Sequence, residues 1–558
     1  MKALSKTTGW LSPESLAYVV ALGVGATAGM PAAQAFEIDS GNPEVHMQWD
    51  TTLKYSAAFR VKDRSSTLIQ DPNQDDGDRN FGRGLISNRV DLFSEFDITY
   101  HGFGARLSGA AWYDAVYNRS NDNNSPATVN HTSVPFDHFT DETERLHGRK
   151  AELLDAFIFG KTEIGESSAT FRLGRHALLW GESLFYGSNG IAGGQAPVDI
   201  VKALSVPNTQ FKELIRPVPQ VSGQVQLSPE FSVGAYYQFK WEKNRFPAAD
   251  SYFSANDGFD KGAERLLYFG PFAATKGSDI EAKNSGQGGV QARFRVSETD
   301  FGLYAIQYHD KSPQLYFRNL LPGTPPGVNL PAQFLYAYPE NIRAYGASVS
   351  HTFDNVNLAG EISFRNNMPL ASDGQLDLFG IVPAFAGGPS VAADNNSNPL
   401  YAVGRTAHAQ VSWIVTLAPN FLATEASFMG ELACNSVIKV TKNAAAVNPN
   451  TDKDACNLRM VYEPSYRQVA PGLDLSVPVG LGYGKGNSRA VGGAFLGDRV
   501  GDFSIGVKGT YESAWQLGLN YTHYFGPEGT FLDSNNHVSF KQTFKDRDFV
   551  SLTISRTF

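Results

Sequence analysis

The sequence predicts an all-β fold: one large up-and-down antiparallel transmembrane β-barrel of about 18 strands, with 16 as the alternative count. Three observations predict it. Apolar and polar residues alternate in segment after segment, the period of a strand with two unlike faces. The connections between segments alternate strictly between short and long, as in a barrel with tight turns at one end and loops at the other. Beyond Phe36 there is no run of 18 apolar residues, so no helix is available to cross a bilayer.

The first element is a leader. Lys2 and Lys6 open the chain, an apolar stretch runs from Leu16 to Met30, and Ala33-Gln34-Ala35 supplies a small-x-small cleavage signal. This is the three-part pattern of a secretory signal peptide, residues 1–35. Residues 36–558 then form a single barrel domain. No linker divides them, and glycine (54 residues) and aromatics (12%) run evenly from residue 46 onward. The whole chain carries −9 formally; with Lys2, Lys6 and Glu14 removed, the rest carries −10. That balance argues against nucleic acid as a partner. Export to an oxidising compartment makes a disulfide the expected state of Cys434 and Cys456, 22 residues apart. Metal binding by this pair is not expected, because no His or further Cys stands at ligand spacing.

The strands follow in order. Alternation marks segments 46–61, 88–100, 103–117, 150–163, 168–179, 219–228, 230–243, 287–297, 299–310, 341–353, 355–366, 401–417, 420–433, 457–467, 470–481, 501–511, 513–525 and 548–558. In the last, Val550, Leu552 and Ile554 face one way and Ser551, Thr553 and Ser555 the other. The short connections are His101-Gly102, Ile164–Ser167, Pro229, Glu298, Asp354, Ala418-Pro419, Gln468-Val469 and Glu512. The long ones are 62–87, 118–149, 180–218, 244–286, 311–340, 367–400, 434–456, 482–500 and 526–547. Both ends of the barrel then fall on the short-turn side, and only residues 36–45 precede the first strand, which leaves no room for an N-terminal plug. Trp49, Trp112, Tyr113, Tyr236, Tyr237, Trp241, Trp413, Trp515, Tyr524 and Phe525 gather near strand ends, as in the aromatic girdles of membrane barrels. A terminal Phe558 looks like a barrel sorting signal, from which Arg556 departs.

Two features point to what the bore does. The connection 180–218 carries helical-looking turns: Pro197 opens one with Val198, Val201 and Leu204 on one side, and Asn208 caps a second over 209–215. Amphipathic turns in a barrel connection suggest a segment folded into the lumen, with Asp199, Lys202 and Phe211 at a constriction. The strands also carry charges on one face each: Arg89, Asp91, Glu95 and Asp97; Arg172 and His176; Arg293 and Arg295; Glu361 and Arg365. A charge on the lipid face costs about 2–4 kcal/mol at mid-bilayer, so these faces should line the lumen. They either form a polar track for solute or fill the interior as paired ions. In the loop 62–87, Asp71, Asn73, Asp75, Asp76 and Asp78 alternate oxygen donors near Gly77, a pattern suited to Ca2+. The glycine stands one place late for an EF-hand, and Gly82 occupies the position of its closing Glu.

No catalytic apparatus is legible. Neither Gly-x-Ser-x-Gly nor His-Glu-x-x-His occurs, and 480–486 lacks phosphate-loop spacing. His176, His351 and His408 are single histidines on strands, expected to be structural. No enzymatic role and no required cofactor are expected.

The stretches Asp75–Phe81, Gly84–Arg89 and Leu173–His176 through Gln210–Glu213 resemble a family of exported proteobacterial proteins known as domain of unknown function 1302. The resemblance covers essentially all of the chain after the leader. It implies an outer-membrane location among lipid and lipopolysaccharide. It also implies a neighbourhood of resistance-nodulation-division (RND) transporters and genes for handling hydrophobic compounds. That family has no settled catalytic residues to carry over. The expected function is therefore an outer-membrane channel that passes a small-molecule solute through a loop-narrowed bore. The competing readings are a port for hydrophobic compounds or a partner of an RND-type exporter, a barrel hydrolase, and an adhesin.

Overall fold

The computed structural model describes residues 36–165, 167–419 and 423–558; the expected signal segment, 1–35, lies outside the described residues. Eighteen strands form one antiparallel barrel. They are β1 (Val45–Arg60), β2 (Gly84–Tyr100), β3 (Phe103–Asp114), β4 (Arg149–Ile164), β5 (Ser167–His176), β6 (Val218–Ser228) and β7 (Phe231–Gln238). Next come β8 (Gln287–Val296), β9 (Thr299–Tyr308), β10 (Ile342–Phe353), β11 (Val356–Pro369), β12 (Val403–Leu417) and β13 (Glu425–Lys442). The round ends with β14 (Asp454–Ala470), β15 (Leu473–Ser476, resuming as Val479–Lys485), β16 (Gly501–Tyr511), β17 (Trp515–Phe525) and β18 (Phe549–Thr557). The break in β15 falls at Pro478, which has no N–H to give to the ladder.

Each strand pairs with its neighbour in sequence, and β18 closes on β1 from Thr52↔Thr557 to Arg60↔Phe549. Closure removes the exposed edges that an open sheet would leave. Tight turns join alternate strands. His101 (φ 46°) and Gly102 (φ 81°) both take the left-handed conformation that a two-residue hairpin needs to match strand twist. The count is 18; most boundaries shift by a few residues, and two connections differ more clearly. The turn placed at Gln468-Val469 lies at Pro471-Gly472 instead; Gln468 (φ 53°) is an irregularity inside β14. The expected loop 434–456 is mostly strand, because β13 runs on to Lys442 and β14 begins at Asp454.

The alternation does what it implies. Val90 and Leu92 on β2, Ile362 on β11, Leu432 on β13 and Leu519 on β17 are exposed on the outer wall, where an apolar surface suits lipid. Trp49, Tyr113 and Tyr237 join them. Trp112 and Tyr236 are buried inside, contrary to the girdle reading. Adjacent aromatics on a strand must point to opposite faces, so Trp112-Tyr113 and Tyr236-Tyr237 are each split between lumen and exterior. Trp241 belongs to a loop, donating from Nε1 to the Asp310 carbonyl at 3.1 Å. Arg556 lies over the rings of Trp515 (5.1 Å) and Phe558 (4.8 Å), so the cation near the C-terminus is held by aromatic faces.

Cys434 and Cys456 are disulfide-bonded and sit directly opposite one another on β13 and β14, with Cα atoms 4.1 Å apart. The bridge therefore staples neighbouring wall strands rather than the foot of a loop. Changing both cysteines to serine is expected to cost about 3 kcal/mol, the loop-closure value for roughly 20 residues, with strand pairing intact. Thermal unfolding with and without reductant measures it. A barrel that failed to close would show that the bridge sets the register.

The long loops are not free. Arg265–Leu267, Ala273–Lys276, Gln314–Leu320, Pro331–Ala337 and Gln375–Asp377 make a second, five-stranded sheet separate from that of the barrel. Phe334, Tyr336, Tyr338 and Trp241 pack beside it, and Phe81, Tyr117, Phe139 and Tyr252 form another buried cluster at the same end. The long-loop end is thus a packed cap.

Candidate functional site

The connection between β5 and β6 turns into the bore. Its first half lies on the opposite wall, formed by β10 to β13. Glu431 on β13 is fully buried, and its Oε2 accepts from the backbone N–H groups of Leu184 (3.2 Å), Phe185 and Tyr186 (2.8 Å). Glu361 on β11 accepts from Glu182 N at 2.8 Å and Ile191 N at 2.6 Å. Arg365, four residues along on the same face of the strand, donates to the carbonyls of Ser188 (2.9 Å), Asn189 (2.7 Å) and Gly190 (2.9 Å). A segment without regular structure has backbone groups that need partners in a dry interior; here wall charges supply them with charge-assisted bonds. Asn189 adds side-chain contacts to His408 and Asn435 at 3.0 and 3.1 Å. Ile191 is sealed among Trp180, Tyr236, Tyr304, Tyr308 and Ile342. Glycine is required at 181, where φ is +86° and a Cβ would meet Glu361 Oε2 at 2.1 Å.

The second half carries the helix Ile200–Ser205, capped by Asp199, whose side chain accepts from Lys202 N at 3.0 Å. The helix thus begins just after Asp199, two residues beyond Pro197. Asn208 does not cap the turn Phe211–Glu213. It takes φ 60° and donates from Nδ2 to Ser504 Oγ on β16 at 2.9 Å, a strut to the far wall. Asp199 also pairs with Arg245 at 2.8 Å. Arg245, Arg216 (3.3 Å) and Lys150 (3.5 Å) converge on Glu152 of β4. Trp112 stacks beneath these cations, with Arg89 at 4.6 Å and Arg245 at 5.5 Å from its ring.

Between this half and the wall of β1–β4 and β14–β18 lies a cavity of about 1030 Å³. It extends from Thr510 and Gln516, beside the β16–β17 turn, to Tyr117, His147 and Tyr252 under the cap. Arg89, Asp91, Asp199 and Lys202 line it, together with Lys54, Trp112, Met429 and Lys508.

The remaining expected pore residues are inside the barrel but not on this cavity. Glu361 and Arg365 hold the segment. Phe211 is buried against Gly187 within the segment rather than facing the bore. His176 is bonded to Ser222 at 2.8 Å. Arg172 lies over the Phe157 ring at 5.8 Å. Glu95 approaches Arg106 at 3.6 Å, Arg295 pairs with Asp300 at 2.8 Å, and Arg293 reaches Glu182 at 3.9 Å. Sequence reasoning missed Glu431 and Glu152, although each is an inward-facing acid on an alternating strand, the same signal that nominated Glu361. Arg245 and Asn189 lie in loops and carry no such signal.

The proposed cation loop comes apart. Asp78 pairs with Arg60 at 2.6 Å, Asp71 accepts from Asn73 N at 2.9 Å, and Asn73 Oδ1 is taken by Leu267 N and Asn130 Nδ2. A helical turn, Asp76–Arg79, replaces the open loop and sends alternate side chains to different partners. Asp75 and Asp76 stay together and are joined by Asp257.

A family model described as "Protein of unknown function (DUF1302)" matches residues 16–558. A search of curated proteins found no match. Among solved structures the chain is similar to Acinetobacter baumannii OccAB4, with 11% identity over 94% of this chain and 99% of that one and a TM-score of 0.42. It is similar to OccAB2 of the same organism, with 10% identity over 92% and 98% and a TM-score of 0.43. It is also similar to Salmonella typhi OmpF in complex with daunomycin, with 8% identity over 94% and 100% and a TM-score of 0.38.

Proposed function

Since the chain belongs to the DUF1302 family, a family described as of unknown function, its role is to be sought in its own geometry, and we propose that it is an outer-membrane channel passing a small solute through a bore narrowed by the 180–218 segment. One observation carries this reading: wall residues of β11 and β13 fasten the segment across the lumen, and a cavity of about 1030 Å³ is left along the other side. That volume matches the upper range of small-ligand sites. The apolar outer wall supports residence in a bilayer, and the leader pattern supports export.

The lining favours a solute with both polar and apolar parts. Arg89, Asp91, Lys202 and Lys508 offer charge, and Trp112 and Met429 offer apolar contact. A second reading, a port for hydrophobic compounds, draws support from the aromatic roof of Tyr117, Tyr252 and Phe253. An exporter partner of the RND type would dock at the short-turn end.

The test is single-channel conductance of the refolded chain in a planar bilayer, beside a version lacking 188–216. The deletion is expected to conduct more than the full chain. Absence of current from both would overturn the open-channel reading, and release of an apolar dye but not a sugar from liposomes would favour the second.

A further inference from the structure

The cap holds a buried acidic cluster that the bore does not use. Asp75 and Asp76 come from the β1–β2 loop, Asp250 and Asp257 from the β7–β8 loop, and each is at most 1% exposed. One carboxylate oxygen from each of Asp75, Asp76 and Asp257 lies within 4.8 Å of the others. Asp250 is the charge that bears most on Asp76, and Asp257 the charge that bears most on Asp250. The two loops are in close contact here: a Cβ on Gly77 would lie 2.5 Å from the Ser254 carbonyl and 2.8 Å from that of Ser251.

The partners of these carboxylates fall short of their demand. Asp75 pairs with Arg79, the one cation within ion-pair distance of the four among the described residues. Asp257 Oδ2 accepts from the N–H groups of Asp75 (2.9 Å) and Asp76 (3.2 Å). Asp76 accepts from Asn130 N at 2.9 Å and Asn123 Nδ2 at 3.3 Å. Asp257 Oδ1 and Asp250 Oδ2 are buried with no hydrogen-bond partner. An unpaired buried carboxylate is costly, and here Asp76, Asp250 and Asp257 lie together without a cation. Burial, then their mutual repulsion, holds all three well above the usual carboxylate range.

We propose that Asp75, Asp76 and Asp257, with Asp250 behind them, form a divalent-cation site that takes Ca2+ and ties the β1–β2 and β7–β8 loops together. Two oxygens on one calcium ion, each at 2.3–2.6 Å, stand no more than about 5 Å apart, so the spacing of the three donors fits. An all-oxygen, anionic and dry donor set suits calcium over zinc, which wants nitrogen or sulfur, and over magnesium, which keeps its waters. One Ca2+ against Asp76, Asp250 and Asp257 reduces three unpaired charges to one. The ligand set differs from the 71–78 loop pattern because the third donor comes from about 180 residues away. The site is independent of what the bore passes.

The test uses the full chain refolded in detergent and stripped with a chelator. Isothermal calorimetry with CaCl2 is expected to show one ion per chain, and thermal unfolding a midpoint several degrees higher with Ca2+ than with chelator. Asp257→Asn is expected to lose both effects and Asp71→Asn to keep both. Three outcomes would overturn the proposal: no heat and no shift with wild type, unchanged binding in Asp257→Asn, or loss in Asp71→Asn with Asp257→Asn unaffected. Tighter binding of Mg2+ than Ca2+ would overturn the choice of ion. The wild-type titration decides the matter even where Asp257→Asn fails to fold.

Discussion

Glu431→Ala is expected to raise single-channel conductance several-fold while the barrel stays folded. One oxygen of this side chain holds three consecutive backbone N–H groups, at Leu184, Phe185 and Tyr186, in a site without solvent. Removing it leaves three donors unpaired at about 1–2 kcal/mol each, so about 3–6 kcal/mol in all. The wall does not share that loss. Strand β13 is held to β12 and β14 by its backbone, and the Glu431 side chain takes no part in those ladders. The weakened element is therefore the segment that fills the lumen. Glu431→Gln keeps an acceptor without the charge and should fall between wild type and alanine. Current traces in a planar bilayer, with circular dichroism to check the barrel, measure both. Unchanged conductance in Glu431→Ala would mean that Glu361 and Arg365 suffice to hold the segment.

This division of labour explains which parts could be read from the chain. Alternation with period two is a local property, so the strands, their number and the inward placing of Arg89, Asp91, Glu361 and Arg365 were legible. The role of each charge was not. Glu361 and Arg365 look the same in sequence as Arg89 and Asp91, yet the first two bond a segment that is about 170 residues away in the chain, while Arg89 and Asp91 bond each other and face the cavity. Only barrel closure decides which side chain meets which. The same holds for Asp257, whose place beside Asp75 and Asp76 depends on how two loops pack. The five-stranded sheet of the cap was read as loop because its members run for only three to seven residues. Strands that short, separated by Pro and Gly, carry too few alternations to stand out.

Acid should weaken the contribution of His147 to the cap, in opposition to Asp76, Asp250 and Asp257, whose raised carboxylates favour the closed state as pH falls. The His147 ring stacks on Tyr117 at 4.9 Å, and Nε2 accepts from Ala248 N at 3.1 Å, so only the neutral form fits. Burial, then the charges of Arg89, Arg245 and Lys150, pushes it down to about 3. An opened loop would return it to about 6.5. The folded value is the lower one, so the closed state binds fewer protons than the open state between these limits. Its full contribution is present above pH 6.5 and is lost as pH falls toward 3. At pH 4 the loss is about 3 kcal/mol, or on the order of 100-fold in the ratio of closed to open. His131, buried nearby and also held below its usual value chiefly by burial, adds in the same direction. Hydrogen exchange of residues 239–286 between pH 7 and pH 4, corrected for intrinsic rates, reads the opening. His147→Gln retains an acceptor for Ala248 N but takes up no proton. The difference between wild type and variant isolates the histidine from carboxylates that titrate in the same range. Parallel pH profiles for the two would show that His147 stays buried when the cap opens, and the opening would then have to lie elsewhere in the loops.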